Sequence, residues 1–370
     1  MARRILHIVS AMNRGGAETL LMNVYRNLDR QMLQFDFVSH REECCHYDEE
    51  IEALGGRIYK IKSLGHQGPI GYIHELKKIM SGADYAAVHS HMDYQSGFPA
   101  LSAKLAGIPI RICHSHSSSW PKGSGMKAGF MLRAMKAVIR YSATDYRACS
   151  NEAAQFLFGS SSKTRLLYNA IDLNAYENTS LQTRNKVRQE LNIPAGSLMI
   201  GHVGTFSTSK NHRFLLQLLR EMLMKGKKAV LVLVGEGALR PAIELEASQM
   251  GLHANIRFLG TRADVPSLMS CFDVFVFPSQ FEGFGIAVLE AQAAGTPCVV
   301  SDAVPKLTDM GLGLIQYIGL DKSYEQWSES IDKALASTKP DRQTIHHKIG
   351  QKGFDIKQNL KQWLQMYGVS

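Results

Sequence analysis

No apolar run in this chain approaches the ~20 residues that cross a bilayer, so no spanning helix is expected. The six cysteines are scattered, only Cys44 and Cys45 are adjacent, and none has paired metal-ligand spacing. That argues against a disulfide framework and suits a reducing cytoplasm. No signal peptide is expected either, because MARRILHIVS runs straight into a strand-like segment. No G-x-G-x-x-G follows the first strand, so a dinucleotide is not indicated. Basic strands interleaved with aromatics and recognised nucleic-acid motifs are lacking, which counts against a nucleic-acid partner. Asp-x-Asp occurs nowhere, and there is no short repeat or low-complexity segment.

What is present is an ordinary globular composition. The chain has 370 residues, 45% of them apolar, which suggests two domains with sizeable cores. The formal charge of +9 suggests anionic partners such as nucleotide phosphates or lipid head groups.

The most informative stretch is PSQFEGFGIAVLEAQAAGTPCVV, residues 278–300. It lies between two apolar runs of buried-strand type, Val274 to Phe277 and Cys298 to Val300. A glycine-containing turn and a helix join them, with Phe284, Gly285 and Ile286 expected as the first helical residues. The result is a βαβ unit whose loop sits at the carboxyl end of a parallel strand, where open α/β sheets bind ligands. Free N–H groups at the helix start favour an anion. Glu282 lies in the loop. Glu290 lies about two turns into the helix among small and apolar neighbours, where an acid is either solvated or has a job.

Pro278-Ser279, Glu282-Gly283-Phe284-Gly285, the second glutamate Glu290 and Ala294-Gly295-Thr296-Pro297 together resemble the E-x7-E block of retaining glycosyltransferases of family 4, of the bacterial exopolysaccharide and capsule type. The resemblance implies an α/β chain of the GT-B fold. Two Rossmann-like domains with parallel sheets would face each other across a cleft, and a C-terminal helix would cross back to the first domain. Alternating strand-like and helix-like segments along both halves agree with parallel sheets. Tyr168-Asn169-Ala170-Ile171-Asp172 resembles the family's crossover between domains, with Ala170 in place of glycine. The expected domains are 1–170 with the tail 354–370 on the acceptor side, and 171–353 binding the nucleotide sugar.

The resemblance also implies roles. Gly15 and Gly16, in Gly-Gly-Ala-Glu after the first strand, would let the backbone approach the donor. Glu290 would accept hydrogen bonds from ribose hydroxyls. Glu282 would face the donor sugar, and the backbone of Phe284, Gly285 and Ile286 would contact sugar and phosphate. Lys210 matches the cation that stabilises the departing phosphates. Thr205 stands where the family has an arginine, and supplies a hydroxyl but no charge. Two His-x-His pairs end strands, His89/His91 and His114/His116; metal ligation is not favoured, since no third ligand has suitable spacing. A histidine at a late strand end of the first domain faces the donor sugar in the family; His116 is the first choice and His114 the second. Lys210, Glu282 and His116 are thus the candidate catalytic residues. With no Asp-x-Asp, no cofactor and no obligate metal are expected.

The implied partners are a nucleotide-sugar donor, a UDP-sugar by preference, and a lipid-linked or oligosaccharide acceptor. An anionic membrane surface is a further expectation. Between Leu101 and Ala170 there are ten basic and two acidic residues. The helix expected over 124–141 sets Arg133, Lys136 and Arg140 on one face, beside a stripe of Phe130, Ala134, Ala137 and Tyr141. Trp120 and Met126 lie just upstream, where they could dip into an interface. The alternative is a solvated basic face with the apolar stripe packed on the sheet. A sugar-nucleotide 2-epimerase of similar fold and a basic nucleotide- or nucleic-acid-binding module stand as the alternative functions.

Overall fold

The computed structural model describes residues 2–117, 126–160, 163–176 and 180–369, without the side chains of 126–128. The chain divides into two compact units, Met1–Ile171 with Ile356–Ser370, and Asp172–Asp355.

The first unit contains β1 (Arg3–Val9), α1 (Gly16–Asn27), β2 (Leu33–Ser39), α2 (Asp48–Ala53), β3 (Ile58–Lys60), α3 (Leu64–Ser81), β4 (Tyr85–Ser90), α4 (Gly97–Leu105), β5 (Ile110–Ser115), α5 (Met126–Ser142), β6 (Asp145–Ala148), α6 (Asn151–Phe158) and β7 (Thr164–Leu166). Its seven strands run in the order β3-β2-β1-β4-β5-β6-β7, and all their pairings are parallel.

The second unit contains α7 (Leu181–Glu190), β8 (Leu198–Val203), α8 (His212–Met224), β9 (Ala229–Val234), α9 (Arg240–Gln249), β10 (Ile256–Phe258), α10 (Val265–Cys271), β11 (Val274–Phe277), α11 (Ile286–Ala293), β12 (Cys298–Ser301), β13 (Ile315–Ile318), α12 (Tyr324–Ala336) and α13 (Arg342–Gln351). The order is β10-β9-β8-β11-β12-β13, again all parallel. In each sheet the order reverses once, at β1/β4 and at β8/β11. Those switch points are where the loops at the strands' carboxyl ends splay apart and leave room for a ligand.

The central strands form because both faces are covered. AVLVLV of β9 and VFVF of β11 are buried at every position, as expected for parallel strands flanked by helices. On one face α8 lays Leu215, Leu219 and Met222 into a core shared with Trp327 and Ile331 of α12. The tail forms α14 (Ile356–Met366) and belongs to the first unit. Its buried Trp363, with Tyr367 just beyond, joins the core of Tyr25, Phe35 and Phe37. The Ile356 N–H donates to the Ile171 carbonyl at 2.9 Å. Arg3 Nη1 donates to the Gly368 carbonyl at 2.6 Å.

Several elements differ from the sequence reading. The helix after β11 starts at Ile286 with Gly285 as its N-cap. Phe284 and Gly285 therefore precede it, and Glu290 lies one turn in. Helix α3 begins at Leu64 and bends at Gly68, where φ is +72°, ahead of Pro69. A 3-10 turn, Asp93–Ser96, leads directly into α4. β13 is a half-buried edge strand that the sequence reading does not contain.

Candidate active site

The loops after β8 and β11 meet at the switch point of the second sheet. They are joined by the Gln280 N–H, which donates to the Ser209 carbonyl at 2.7 Å, and by Asn211 Nδ2, which donates to the Pro278 carbonyl at 3.2 Å. This stitching brings two expected residues together. Lys210 Nζ forms an ion pair with Glu282 Oε1. Ser279 Oγ donates to the same oxygen at 2.7 Å. The Lys210 ammonium also sits 4.6 Å from the centre of the Phe277 ring. Lys210 precedes α8 and opposes its dipole, so the carboxylate and the ring face supply the compensation.

Beside this cluster α11 begins. Gly285 has φ +86°, a left-handed conformation that a glycine adopts without strain, and it offers no side-chain cap. The Val288 N–H donates to the Gly285 carbonyl at 2.9 Å, and Gly285 gives the preceding Ile286 and Ala287 amides no side-chain cap. Phe284 is pinned from two sides: its carbonyl accepts from the Thr308 hydroxyl, and its ring stacks on Phe354 at 4.9 Å. Glu290 is half-buried and hydrogen-bonded to the phenol of Tyr176. Desolvation pushes its carboxyl up to about 7, against the lowering effect of that bond. Tyr176, raised well above its usual range by burial and then by Glu290, stays neutral. Thr205 is exposed at the tip of a tight turn, where its carbonyl accepts from the Ser207 N–H at 2.7 Å.

In the first unit, Gly15 caps α1 and Gly16 opens it. A Cβ on Gly15 would lie 2.3 Å from Glu18 Oε2. The glycine thus leaves room for the Glu18 carboxyl, which burial pushes up to about 7. His114 is fully buried inside β5, and its Nδ1 lies 3.2 Å from His89 Nε2. His116 lies one residue past the strand and is half-buried. Of the two, His116 is the one placed at a strand exit.

The histidines gather into a cluster that spacing along the chain does not show. His7, His89 and His91, and also His91, His114 and His116, each bring one ring nitrogen per residue within 4.8 Å of the others. The third ring comes from a neighbouring strand, which needs no sequence spacing. Burial lowers all five rings below their usual value, keeping them in the neutral, metal-ligating form. Among the described residues neither group includes a carboxylate or thiolate. Three residues that sequence reasoning did not place in a site also stand out. They are Ser279 on Glu282, Tyr176 on Glu290, and Asp93 beside His116. Ser279 lay inside the recognised block, whereas Tyr176 and Asp93 carried no signal.

Comparison with known proteins agrees with this architecture. Residues 183–351 match the family described as glycosyl transferases group 1, and residues 15–169 match a glycosyl transferase 4-like domain. A protein named as the glycosyltransferase EpsF of Bacillus subtilis (strain 168) is 41% identical over 373 residues, covering 100% of this chain and 97% of its own. The capsular polysaccharide biosynthesis glycosyltransferase CapH of Staphylococcus aureus is 26% identical over 90% of this chain and 89% of its own. Among solved structures, Anabaena Alr3699/HepE in complex with UDP and glucose superposes with a TM-score of 0.80 at 20% identity, covering 99% of both chains. With both halves matched and a relative similar along its whole length, the chain belongs to the group 1 glycosyltransferases and has their GT-B fold.

Proposed function

We propose that this chain moves a sugar from a UDP-sugar to a lipid-linked or oligosaccharide acceptor in surface-polysaccharide assembly, with retention at the anomeric carbon and without an obligate metal. The observation that carries this reading is the Lys210–Glu282–Ser279 cluster beside the uncapped start of α11, with Glu290 one turn further on. A cation and free amides suit a diphosphate. Carboxylates, which only accept when ionised, suit sugar and ribose hydroxyls. HepE has been solved with UDP-glucose, which supports the donor class. CapH is named for capsular polysaccharide biosynthesis, which supports the setting.

The chemistry follows from the charges. An incoming diphosphate competes with Glu282 for Lys210, and the released carboxylate turns to the hydroxyls of the sugar. As the bond from the anomeric carbon to the phosphate oxygen lengthens, negative charge grows on the diphosphate. Lys210 and the α11 amides stabilise it more in that state than in the ground state. The acceptor oxygen bonds to the same face of an oxocarbenium-like centre, and its proton passes to the departing phosphate oxygen. His116 would face the sugar, and Gly15 and Gly16 would admit the donor.

A membrane-bound acceptor would suit α5. Its stripe does not pack on the sheet. Phe130 is 75% and Tyr141 68% exposed, and Ala134 and Ala137 are exposed as well. Arg133 and Arg140 are exposed beside them, whereas Lys136 turns inward to the Phe156 carbonyl. Trp120 lies outside the described residues, as does the Met126 side chain. Among the described residues, no helix is long and apolar enough to cross a membrane.

The test is incubation of the protein with UDP-sugars and a bacterial lipid extract, followed by NMR of the product's anomeric centre, with and without EDTA. A lipid product that keeps the donor's configuration and forms in EDTA is expected. Inversion, or loss of activity restored by magnesium or manganese, would contradict the mechanism. Conversion of the sugar without any acceptor would point to an epimerase.

A further inference from the structure

The Lys210–Glu282 ion pair has a third member whose position is fixed independently. Three successive residues at the exit of β11 are anchored. The Pro278 carbonyl accepts from Asn211 Nδ2 at 3.2 Å, the Ser279 carbonyl accepts from Ser301 Oγ at 2.5 Å, and the Gln280 N–H donates to the Ser209 carbonyl at 2.7 Å. Ser279 and Ser301 are both fully buried. The Ser279 hydroxyl, which donates to Glu282 Oε1 at 2.7 Å, is therefore a fixed point. Glu282 itself lies in a loop outside any helix or strand. Lys210 reaches the same oxygen on a flexible stem, and the Phe277 ring, 4.6 Å from its ammonium, supports it from a second side. Both donors thus use Oε1, and Oε2 accepts no hydrogen bond among the described residues.

An anion arriving at the start of α11 takes Lys210 from Glu282. The Glu282 side chain is only 9% exposed, so water does little to replace the lost partner. A buried carboxylate stripped of its cation is costly. The two nucleotides that visit the site differ in what they return. A UDP-sugar brings hydroxyls that can donate to Oε2, whereas UDP brings none in the sugar's place. Charge alone does not favour the donor. Losing the sugar frees an ionisable oxygen on the terminal phosphate, so a lone cation holds the product at least as firmly as the substrate.

We propose that Glu282, with Ser279 as its positioning residue, makes the site select an intact nucleotide sugar over the free nucleoside diphosphate. Before binding, Glu282 occupies Lys210. With the UDP-sugar bound, Ser279 keeps Oε1 and the sugar hydroxyls take Oε2, so the displaced carboxylate stays satisfied. After transfer the sugar leaves with the acceptor, and Glu282 competes with UDP to recover Lys210, which favours product release. The inference rests on the reading above that Lys210 meets the diphosphate and Glu282 the sugar.

Isothermal titration of the full-length protein tests it. UDP is compared with whichever of UDP-glucose, UDP-galactose and UDP-N-acetylglucosamine wild type binds most tightly, in wild type, Ser279→Ala, Glu282→Ala and the double variant. Glu282→Ala frees Lys210, so it should strengthen UDP about tenfold without strengthening the UDP-sugar. Ser279→Ala should weaken the UDP-sugar roughly tenfold and UDP less, and should not alter their ratio once Glu282 is gone. A serine that merely supported the fold would act alike on both ligands and in both backgrounds. UDP no stronger in Glu282→Ala, or a ratio that Glu282→Ala lowers and Ser279→Ala leaves alone, would overturn the inference by itself. A ratio unmoved by Glu282→Ala, or no binding of any of the three UDP-sugars to wild type, would overturn the reading of Glu282 and the inference with it.

Discussion

Lys210 and Glu282 are 72 residues apart in the chain, and each was legible only as half of a pair. Their motifs point to a cation and a carboxylate; that the two neutralise each other without a donor depends on how the β8 and β11 loops are stitched. Tyr176 was not legible, because a tyrosine before a domain's first helix has no pattern to mark it. Glu290 was legible as an acid in an apolar helix, and burial gives it a testable property. Its carboxyl is pushed up to about 7 from 4.5. The folded state thus favours the protonated form, and stability is lost as pH rises from 4.5 to about 7, then levels off. Glu290→Gln should therefore raise the melting temperature at pH 8 but not at pH 4.5, while weakening nucleotide binding. Wild-type binding should fall below about pH 7 as the carboxylate is lost, and the variant should lack that dependence. A variant with wild-type affinity and the same pH profile would remove Glu290 from the site. Thr205 tests the departure from the family pattern. It is exposed on its turn, so Thr205→Arg meets little steric resistance and adds a charge near the expected diphosphate. Turnover should be kept or rise. Abolished turnover in a folded protein would show that this loop binds phosphate differently.

The elements were readable where burial dictates composition. The central strands are continuous β-branched and aromatic runs because helices cover both faces of the sheets. IQYI of β13 was not readable, since a short half-buried edge strand has neither a continuous run nor a full alternation. The start of α11 was displaced because Gly285 in the left-handed region caps the helix where a helical first residue was expected. For α5 the sequence left two orientations open, and side-chain exposure decides between them: the apolar stripe faces outward. Each basic residue near an anionic surface adds ~1 kcal/mol, and Arg133 and Arg140 remain available. Sedimentation with liposomes should therefore show binding that needs anionic lipid and weakens from low to physiological salt. Phe130→Ala/Arg133→Glu should reduce it at least tenfold. Equal, negligible pelleting with all lipids would leave α5 as a solvated wall of its unit.

At the scale of the whole molecule, the number of sheets and their parallel character could be read from alternating segments, whereas the histidine cluster could not. His7, His89/His91 and His114/His116 sit on three strands that only the order β1-β4-β5 makes neighbours. Their burial carries a cost that should appear in acid. His7 is lowered to about 3 from 6.5 by desolvation. The stability that neutral burial retains is complete above 6.5 and lost as pH falls below it, since unfolding then takes up protons. Each such ring contributes a slope of about 1.4 kcal/mol per pH unit. Urea denaturation followed by Trp363 fluorescence should become markedly easier between pH 6.5 and 5, and His7→Phe should flatten that slope. A midpoint independent of pH over this range would mean that the cluster is hydrated or shares protons.

The central claim is that the second unit binds a nucleotide diphosphate through Lys210 and the start of α11. Isothermal titration of UDP tests it most directly, using wild type, Lys210→Ala and a Gly285→Val variant that strains the left-handed cap. The prediction is measurable binding by wild type, at least tenfold weaker in either variant, since a charge-assisted contact is worth ~1.5–3 kcal/mol. Binding of equal strength in all three, or no heat with UDP or any other nucleoside diphosphate, would contradict it.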